Sequence, residues 1–273
     1  MKLSLSVRVA ESFHDKRLVD IELPALATIA QSAGYQALCM RASQIGIQSS
    51  KEEVSQARTL LDDLNLAVSM VTGDFAVPEN NAAGPGCLRN ITPYLDLTAA
   101  LGSDLIRICM KDEADIPFAK RAADEAAERN IRLAHQSHTR SLFETVDGSL
   151  DVLQKVGRAN FGLIYEPANL ALCDQAYGVE TLRAFAPYLF NVYLQNHTPD
   201  PEGTLAIETW VGGQIMSTLR PLDAPGGIDF ASVFEGLHSI GYTGYVTLHQ
   251  AFGGDLPPQE AAARSAAFLQ GFM

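Results

Sequence analysis

Short apolar runs alternate with amphipathic stretches along the whole chain. The runs rich in β-branched and large aliphatic residues are Leu3–Val9, Gln36–Met40, Ala67–Val71, Leu105–Met110, Ile131–Ala134, Phe161–Tyr165, Asn191–Leu194 and Tyr245–Leu248. Each reads as a strand, and the segments between them carry apolar positions at helical spacing. Those segments predict helices over Pro24–Ala33, Glu52–Leu64, Ile91–Leu101, Pro117–Arg129, Thr145–Val156, Glu180–Ala186, Phe230–Ile240 and Gln259–Leu269. Their ends carry the expected signals. Ser50 stands three residues before Glu53 as a capping box, and Asp229 precedes the stripe Phe230, Val233, Leu237. Glycine follows Ala33, Leu101 and Ile240, where a left-handed backbone ends a helix.

Strands that alternate with helices pair in parallel, because a crossover of this length returns the chain to the same edge of the sheet. Eight such units in 273 residues predict an α/β fold, a single (β/α)8 barrel over 1–273, with 198–227 as a long loop or lid after the seventh strand. A doubly wound sheet would want a glycine fingerprint after the first strand, and none follows Val9.

In such a barrel the chemistry lies at the carboxyl ends of the strands, and strand alternation states which side chains point inward. Val246 and Leu248 face the helices, so Thr247 and His249 face in; Val192 and Leu194 face out, so Tyr193, Gln195 and His197 face in. The same parity brings Gln136 and His138 inward from the fifth strand and Glu166 from the sixth, where Pro167 holds Glu166 in extended geometry. Four strand ends thus aim Gln136, Glu166, His197 and His249 at one mouth. One carboxylate, two imidazoles and an amide oxygen form a plausible shell for a divalent metal; zinc, manganese, cobalt, nickel, iron and magnesium all remain open. The bland alternative is four unrelated polar residues at loop starts.

The formal charge of −12 disfavours nucleic acid or an anionic membrane as a partner and makes a cation the more natural guest. Lys2, Arg8 and Glu11 interrupt the amino-terminal segment where a signal peptide would need its apolar core, and no run spans a bilayer, so a cytoplasmic location is expected. Cys39, Cys87, Cys109 and Cys173 show no paired spacing, which indicates neither a disulfide framework nor a zinc knuckle.

The motifs His-Gln-Ser-His at 135–138, Glu-Pro-Ala-Asn-Leu at 166–170, His-Thr-Pro-Asp at 197–200, Gly-Gly-Ile-Asp-Phe at 226–230 and Gly-Tyr-Val-Thr-Leu-His at 244–249 carry a resemblance. Together they resemble the xylose isomerase-like TIM barrel superfamily over nearly the whole chain. That group includes sugar phosphate isomerases and epimerases, tagatose 3-epimerase-like enzymes, inositol-catabolism enzymes and endonuclease IV. The resemblance implies one divalent metal, most often manganese, held by Glu, Asp, His and Glu from strands five to eight. Carried over, the ligands fall on Gln136, Glu166, His197 and His249, with Gln250 as an alternative at the last position. Two carboxylates of the pattern are therefore neutral here, and the pair of bases that relatives use is missing.

His138 and Lys111 remain as candidates to move a proton beside a carbonyl, with His135 on the outward parity and packed. Arg107 and Lys111 share the inward face of the fourth strand and suit a substrate carboxylate or phosphate; Arg41 has the same reading, and for both arginines the alternative is a buried ion pair. Asn169 is a further substrate contact in the Glu-Pro-Ala-Asn-Leu motif. Trp210, in the long loop, suits a stacked sugar ring or a contact between copies of the chain in a homo-oligomer. The expected function is a metal-dependent isomerase or epimerase of a small ketose, keto-sugar or sugar phosphate, acting through an enediolate. Loss of CO₂ from a 3-oxo sugar acid, or elimination, through the same intermediate is the alternative. A sugar-binding protein on a degenerate barrel is the non-enzymatic one, and a nuclease fits least, for want of a basic track.

Overall fold

The computed structural model describes residues 1–12, 15–252 and 256–273. Eight parallel strands close a barrel: β1 (Lys2–Ser6), β2 (Ala37–Met40), β3 (Ala67–Val71), β4 (Leu105–Ile108), β5 (Arg132–Gln136), β6 (Phe161–Tyr165), β7 (Leu189–Leu194) and, last in sequence, β11 (Tyr245–Leu248). β1 pairs with both β2 and β11, which closes the ring. Outside it lie α1 (Leu23–Ser32), α2 (Lys51–Asp63), α5 (Thr92–Ala100), α6 (Ile116–Ala127), α7 (Val146–Val156), α9 (Val179–Phe185), α10 (Phe230–Ser239) and α11 (Pro258–Gln270). Short helices α3 (Ala76–Glu79), α4 (Gly86–Arg89) and α8 (Pro167–Leu172) sit in loops, where the periodicity is too brief to announce them.

Local chemistry accounts for the element ends. Ser50 and Glu53 form a reciprocal capping box on α2, and the Asp229 side chain accepts from Ser232 N at the start of α10. Glu166 is extended (φ −139°, ψ 105°) immediately before Pro167, the first residue of α8. β4 ends at Ile108, two residues earlier than its apolar run, because Cys109 turns aside to Asn80 Oδ1 at 3.2 Å.

Alternation sets the barrel interior. Cys39, Met70, Leu105, Ala134, Ile164 and Tyr193 form an apolar layer within the ring, distinct from the larger core between strands and helices. Two residues further along five of these strands stand Arg41, Arg107, Gln136, Glu166 and Gln195. Period two puts them on the same inward face, one layer higher, at the carboxyl end. The site therefore rests on a dry floor.

The segment following β7 is not a loop. β8 (His197–Pro199), β9 (Leu205–Thr209) and β10 (Gly213–Leu219) form a separate antiparallel sheet in the order β8–β10–β9. Alternation carried through Asn196 fails to foresee this, because the barrel strand stops at Leu194 and His197 opens the new sheet opposite Leu219. Asn196 makes the turn: its Nδ2 donates to the carbonyls of Pro221, Leu222 and Ala224, and its Oδ1 accepts from Ile228 N at 2.9 Å. Gln250 braces the same corner, accepting from Asn196 N and donating to Arg220 O.

The sheet is fastened at its far end by one carboxylate. Glu144, buried in the loop between β5 and α7, accepts from Trp210 N, Val211 N and Arg140 N. Glu144→Ala is expected to free the β9–β10 tip: Trp210 fluorescence should become more accessible to a soluble quencher while global stability falls by only about 1–2 kcal/mol. Unchanged quenching would show that the tip is held by other contacts.

Candidate active site

The polar layer opens into a cavity of about 360 Å³ at the carboxyl end of the barrel. Gln136, His138, Asn169, Gln195, His197 and His249 line it together with Arg8, Lys16, Arg41 and Arg107. Leu205, Ala206 and Ile207 from β9 and Leu219 from β10 line it as well. Of the residues expected at the site, Lys111 and Trp210 stand outside it. Lys111 Nζ donates to Arg140 O and lies 5.8 Å from the Trp210 ring centre, in an open groove that also contains Asn80 and Arg89. A β4 that ends at Ile108 carries Lys111 out of the inward parity. Trp210, at the hairpin tip, is 53% exposed.

Glu166 lies under the cavity floor, fully buried, as the acceptor of three side-chain amides. Oε2 accepts from Gln136 Nε2 and from Asn169 Nδ2 (2.5 Å), and Oε1 accepts from Gln195 Nε2. Burial pushes its carboxyl up to about 7 against the opposing pull of the amides and the Arg107 charge. A carboxylate has only acceptors to offer, so each amide must turn its NH₂ toward it. Gln136 Oε1 is then buried with no partner among the described residues.

The imidazoles divide. His138 Nδ1 lies between Thr139 O (2.8 Å) and Asn80 Nδ2 (3.0 Å); the shorter contact, to the carbonyl, favours the tautomer with the proton on Nδ1 and a lone pair on Nε2. Burial and the Arg107 charge hold this ring well below the usual histidine range, so it is neutral. His249 stacks on Tyr193 with ring centres 3.8 Å apart and engages Ser6 Oγ through Nδ1 at 2.9 Å. His197 Nε2 meets Ser217 Oγ at 2.8 Å, within the antiparallel sheet, and burial lowers it to about 4. His135 is buried against Phe143, ring centres 4.1 Å apart, as its outward parity requires.

The arginines divide too. Arg41 forms a buried two-pronged pair with Glu11 (2.6 and 2.8 Å), which also accepts from Ser43 Oγ and lies 3.9 Å from Arg8 Nη1. The ion-pair alternative thus describes Arg41. Arg107 is 3% exposed, yet among the described residues it meets no hydrogen-bond or ion-pair partner, and its Nε is orphaned. Lys16 donates to Pro78 O at the rim, and burial with the neighbouring arginines lowers its pKa to about 8.

This arrangement does not fit a divalent metal. Among the described residues no three His, Cys, Asp or Glu side chains stand close enough to share an ion. The one carboxylate has both oxygens engaged by amide donors, two imidazoles have nitrogens engaged by serine hydroxyls, and four cations line the cavity. The expectation of a cationic guest came from net charge; the local field has the opposite sign, because the acidic residues are dispersed over the outer surface.

Lys16, Arg8, Glu11, Asn80 and Gln195 were not nominated from sequence. Gln195 had the inward parity but a residue type that drew no attention. Arg8 falls inside the predicted run Leu3–Val9, but the strand stops at Ser6 and a 3-10 turn over Val7–Ala10 follows; Glu11 and Lys16 lie in the polar segment beyond it, and Asn80 reaches His138 Nδ1 (3.0 Å) from a left-handed position (φ 49°) in an irregular loop.

Comparison with known proteins matches the model of the xylose isomerase-like TIM barrel over residues 27–272. Solved structures superpose over almost the full length at low identity. The probable 3-DHS dehydratase AsbF of Bacillus anthracis, involved in petrobactin synthesis, is 14% identical with a TM-score of 0.74, covering 99% of both chains. A xylose isomerase-like TIM barrel protein of Mycobacterium smegmatis in complex with magnesium is 16% identical, with a TM-score of 0.72 over 99% of this chain and 96% of that one. D-allulose 3-epimerase of Methylomonas sp. in complex with D-allulose is 16% identical, with a TM-score of 0.70 over 100% and 97%. Comparison with curated proteins finds no match. No described helix is long and apolar enough to cross a membrane.

Proposed function

The chain belongs to the xylose isomerase-like TIM barrel family, and from that premise we propose that it is an isomerase that moves a proton between neighbouring carbons of a small keto-sugar derivative. The observation that carries this reading is His138. With Nδ1 turned to Thr139 O, its Nε2 lone pair is left to a cavity that also holds Arg107, which is unpaired among the described residues. Nε2 takes the proton from the carbon beside the carbonyl, and the electron pair of that C–H bond moves onto the carbonyl oxygen, giving an enediolate. The positive charge of the lining, to which Arg8, Lys16 and Arg107 contribute, stabilises the developing oxyanion. The hydroxyl proton of the carbon that was deprotonated passes to the neighbouring oxyanion, the proton on Nε2 returns to the former carbonyl carbon, and the carbonyl re-forms one position along. Gln136, Asn169 and Gln195, oriented by Glu166, present amide groups to the sugar hydroxyls.

One base on one face suits this transfer, whereas epimerisation needs groups on both faces; of the other cavity imidazoles, His249 meets Ser6 Oγ through Nδ1 and His197 meets Ser217 Oγ through Nε2. A single base also suits elimination from the same enediolate, and the positive cavity, which suits a substrate acid group, favours that lyase as the second reading.

The test is exchange of substrate protons in deuterated solvent across keto-sugars, sugar phosphates and sugar acids. Deuterium should enter beside the carbonyl of one class, and His138→Gln should slow exchange by about 10²–10⁴-fold. Binding without exchange for every compound would move the protein to the sugar-binding alternative, and undiminished exchange in the variant would remove His138 as the base.

A further inference from the structure

A buried guanidinium without a partner is among the least comfortable groups a protein can hold, since the lost hydration of the charge is returned only by a counter-ion or acceptors. Arg107 is such a group among the described residues, while the neighbouring Arg41 has a complete carboxylate partner. Around the same cavity stand Arg8 and Lys16, so four cations face two carboxylates, Glu11 and Glu166. Glu11 is committed to Arg41 and Glu166 lies under its amides. The lining therefore keeps an excess of positive charge directed at empty space large enough for a small sugar derivative.

We propose that this cavity binds the anionic group of its ligand, a phosphate or carboxylate, on Arg107, and that it does so with no resident divalent cation. The inference rests on the reading of the cavity as the active site and narrows its substrate to charged sugars. Arg107 supplies a planar set of N–H donors matched to two oxygens of such a group, and Arg8 and Lys16 supply long-range charge from the rim. Fixed positive charge thus occupies the region where the family pattern would place a metal ion. The neutral residues Gln136 and His249, standing at two carboxylate positions of that pattern, are the matching change: with the counter-charge to a metal removed, a guanidinium can stand beside them.

The experiment uses full-length protein purified without chelator. Elemental analysis should give well under one divalent metal per chain, and magnesium or manganese should leave the melting temperature unchanged. Inorganic phosphate and acetate, each against chloride at equal ionic strength, serve as probes. At least one should raise the melting temperature in a saturable way. A larger response to phosphate assigns a phosphorylated sugar, and a larger response to acetate a sugar acid. Arg107→Leu should weaken the responding anion by about 10–100-fold while melting no lower than the parent without anion, because the unpaired charge is gone. If Arg107→Leu does not fold, Arg107→Gln carries the same expectation. His138→Gln should bind the anion like the parent, so loss of turnover there with retained binding touches only the isomerase reading. Stoichiometric metal surviving dialysis, or an anion response that persists in the Arg107 variant, would overturn the proposal.

Discussion

Glu166→Ala should lower the free energy of unfolding by about 3–5 kcal/mol, the cost of removing one partner from a buried, charge-assisted network. Three amide groups lose their common acceptor at once, and no water reaches them from below, because Ile164, Ala134 and Tyr193 seal the floor. The Gln136 and Gln195 NH₂ groups, left without an acceptor, each contribute a desolvation cost of about 1–3 kcal/mol if unrelieved, while Asn169 Nδ2 keeps its bond to Ser137 O, and partial collapse of the amides toward one another relieves some of the cost. Glu166→Gln should cost less, since one oxygen still accepts, but its own NH₂ then faces other donors. Urea unfolding measures the effect through the midpoint at constant slope. A loss below about 1 kcal/mol for the alanine variant would mean that the amides find other acceptors and that Glu166 does not organise the floor.

Glu11→Gln is expected to be comparably severe for a different reason. The variant keeps the shape and one acceptor but leaves the buried Arg41 without its charge partner and Arg8 without its neighbouring anion. Breaking such a pair from one side costs about 3–5 kcal/mol, which for a chain of this size is roughly 10 °C in melting temperature. The double variant Glu11→Leu, Arg41→Met removes both charges and should recover most of that loss, as replacement of a whole buried pair by apolar groups does. A double variant as unstable as Glu11→Gln would show that the cost lies in packing around Arg41 rather than in its charge.

The barrel was legible because its signals are local and repeated. Val68, Val71, Leu163 and Val246 belong to runs that have no other stable use than a buried parallel strand, and Ser50 and Asp229 mark helix starts by their own hydrogen bonds. Parity also carried well within a strand and one residue beyond it: Arg107 and Gln136 lie inside their strands, Glu166 and His249 one residue past theirs, and all four are buried on the polar layer it indicates. It failed three residues past a strand end. Lys111 and His197 were assigned by extending a period that the backbone no longer keeps, and each went to a different neighbour, Arg140 O and Ser217 Oγ. Nor could parity decide what a side chain does once inside. Arg41 and Arg107 are equivalent in sequence terms, one residue type at the same inward layer of two strands. Only the fold of the amino-terminal segment, which brings Glu11 to one and not to the other, separates a structural pair from an unmatched charge.

The way the antiparallel sheet is fastened has a bearing on how such proteins diversify. Glu144 holds the tip through the main-chain N–H groups of Trp210 and Val211, which almost any amino acid would offer, and leaves both side chains to solvent. Mutations at the tip can therefore sample new surface chemistry in the groove beside Lys111 while the clasp stays shut, so that this part of the surface can drift without being vetoed by folding.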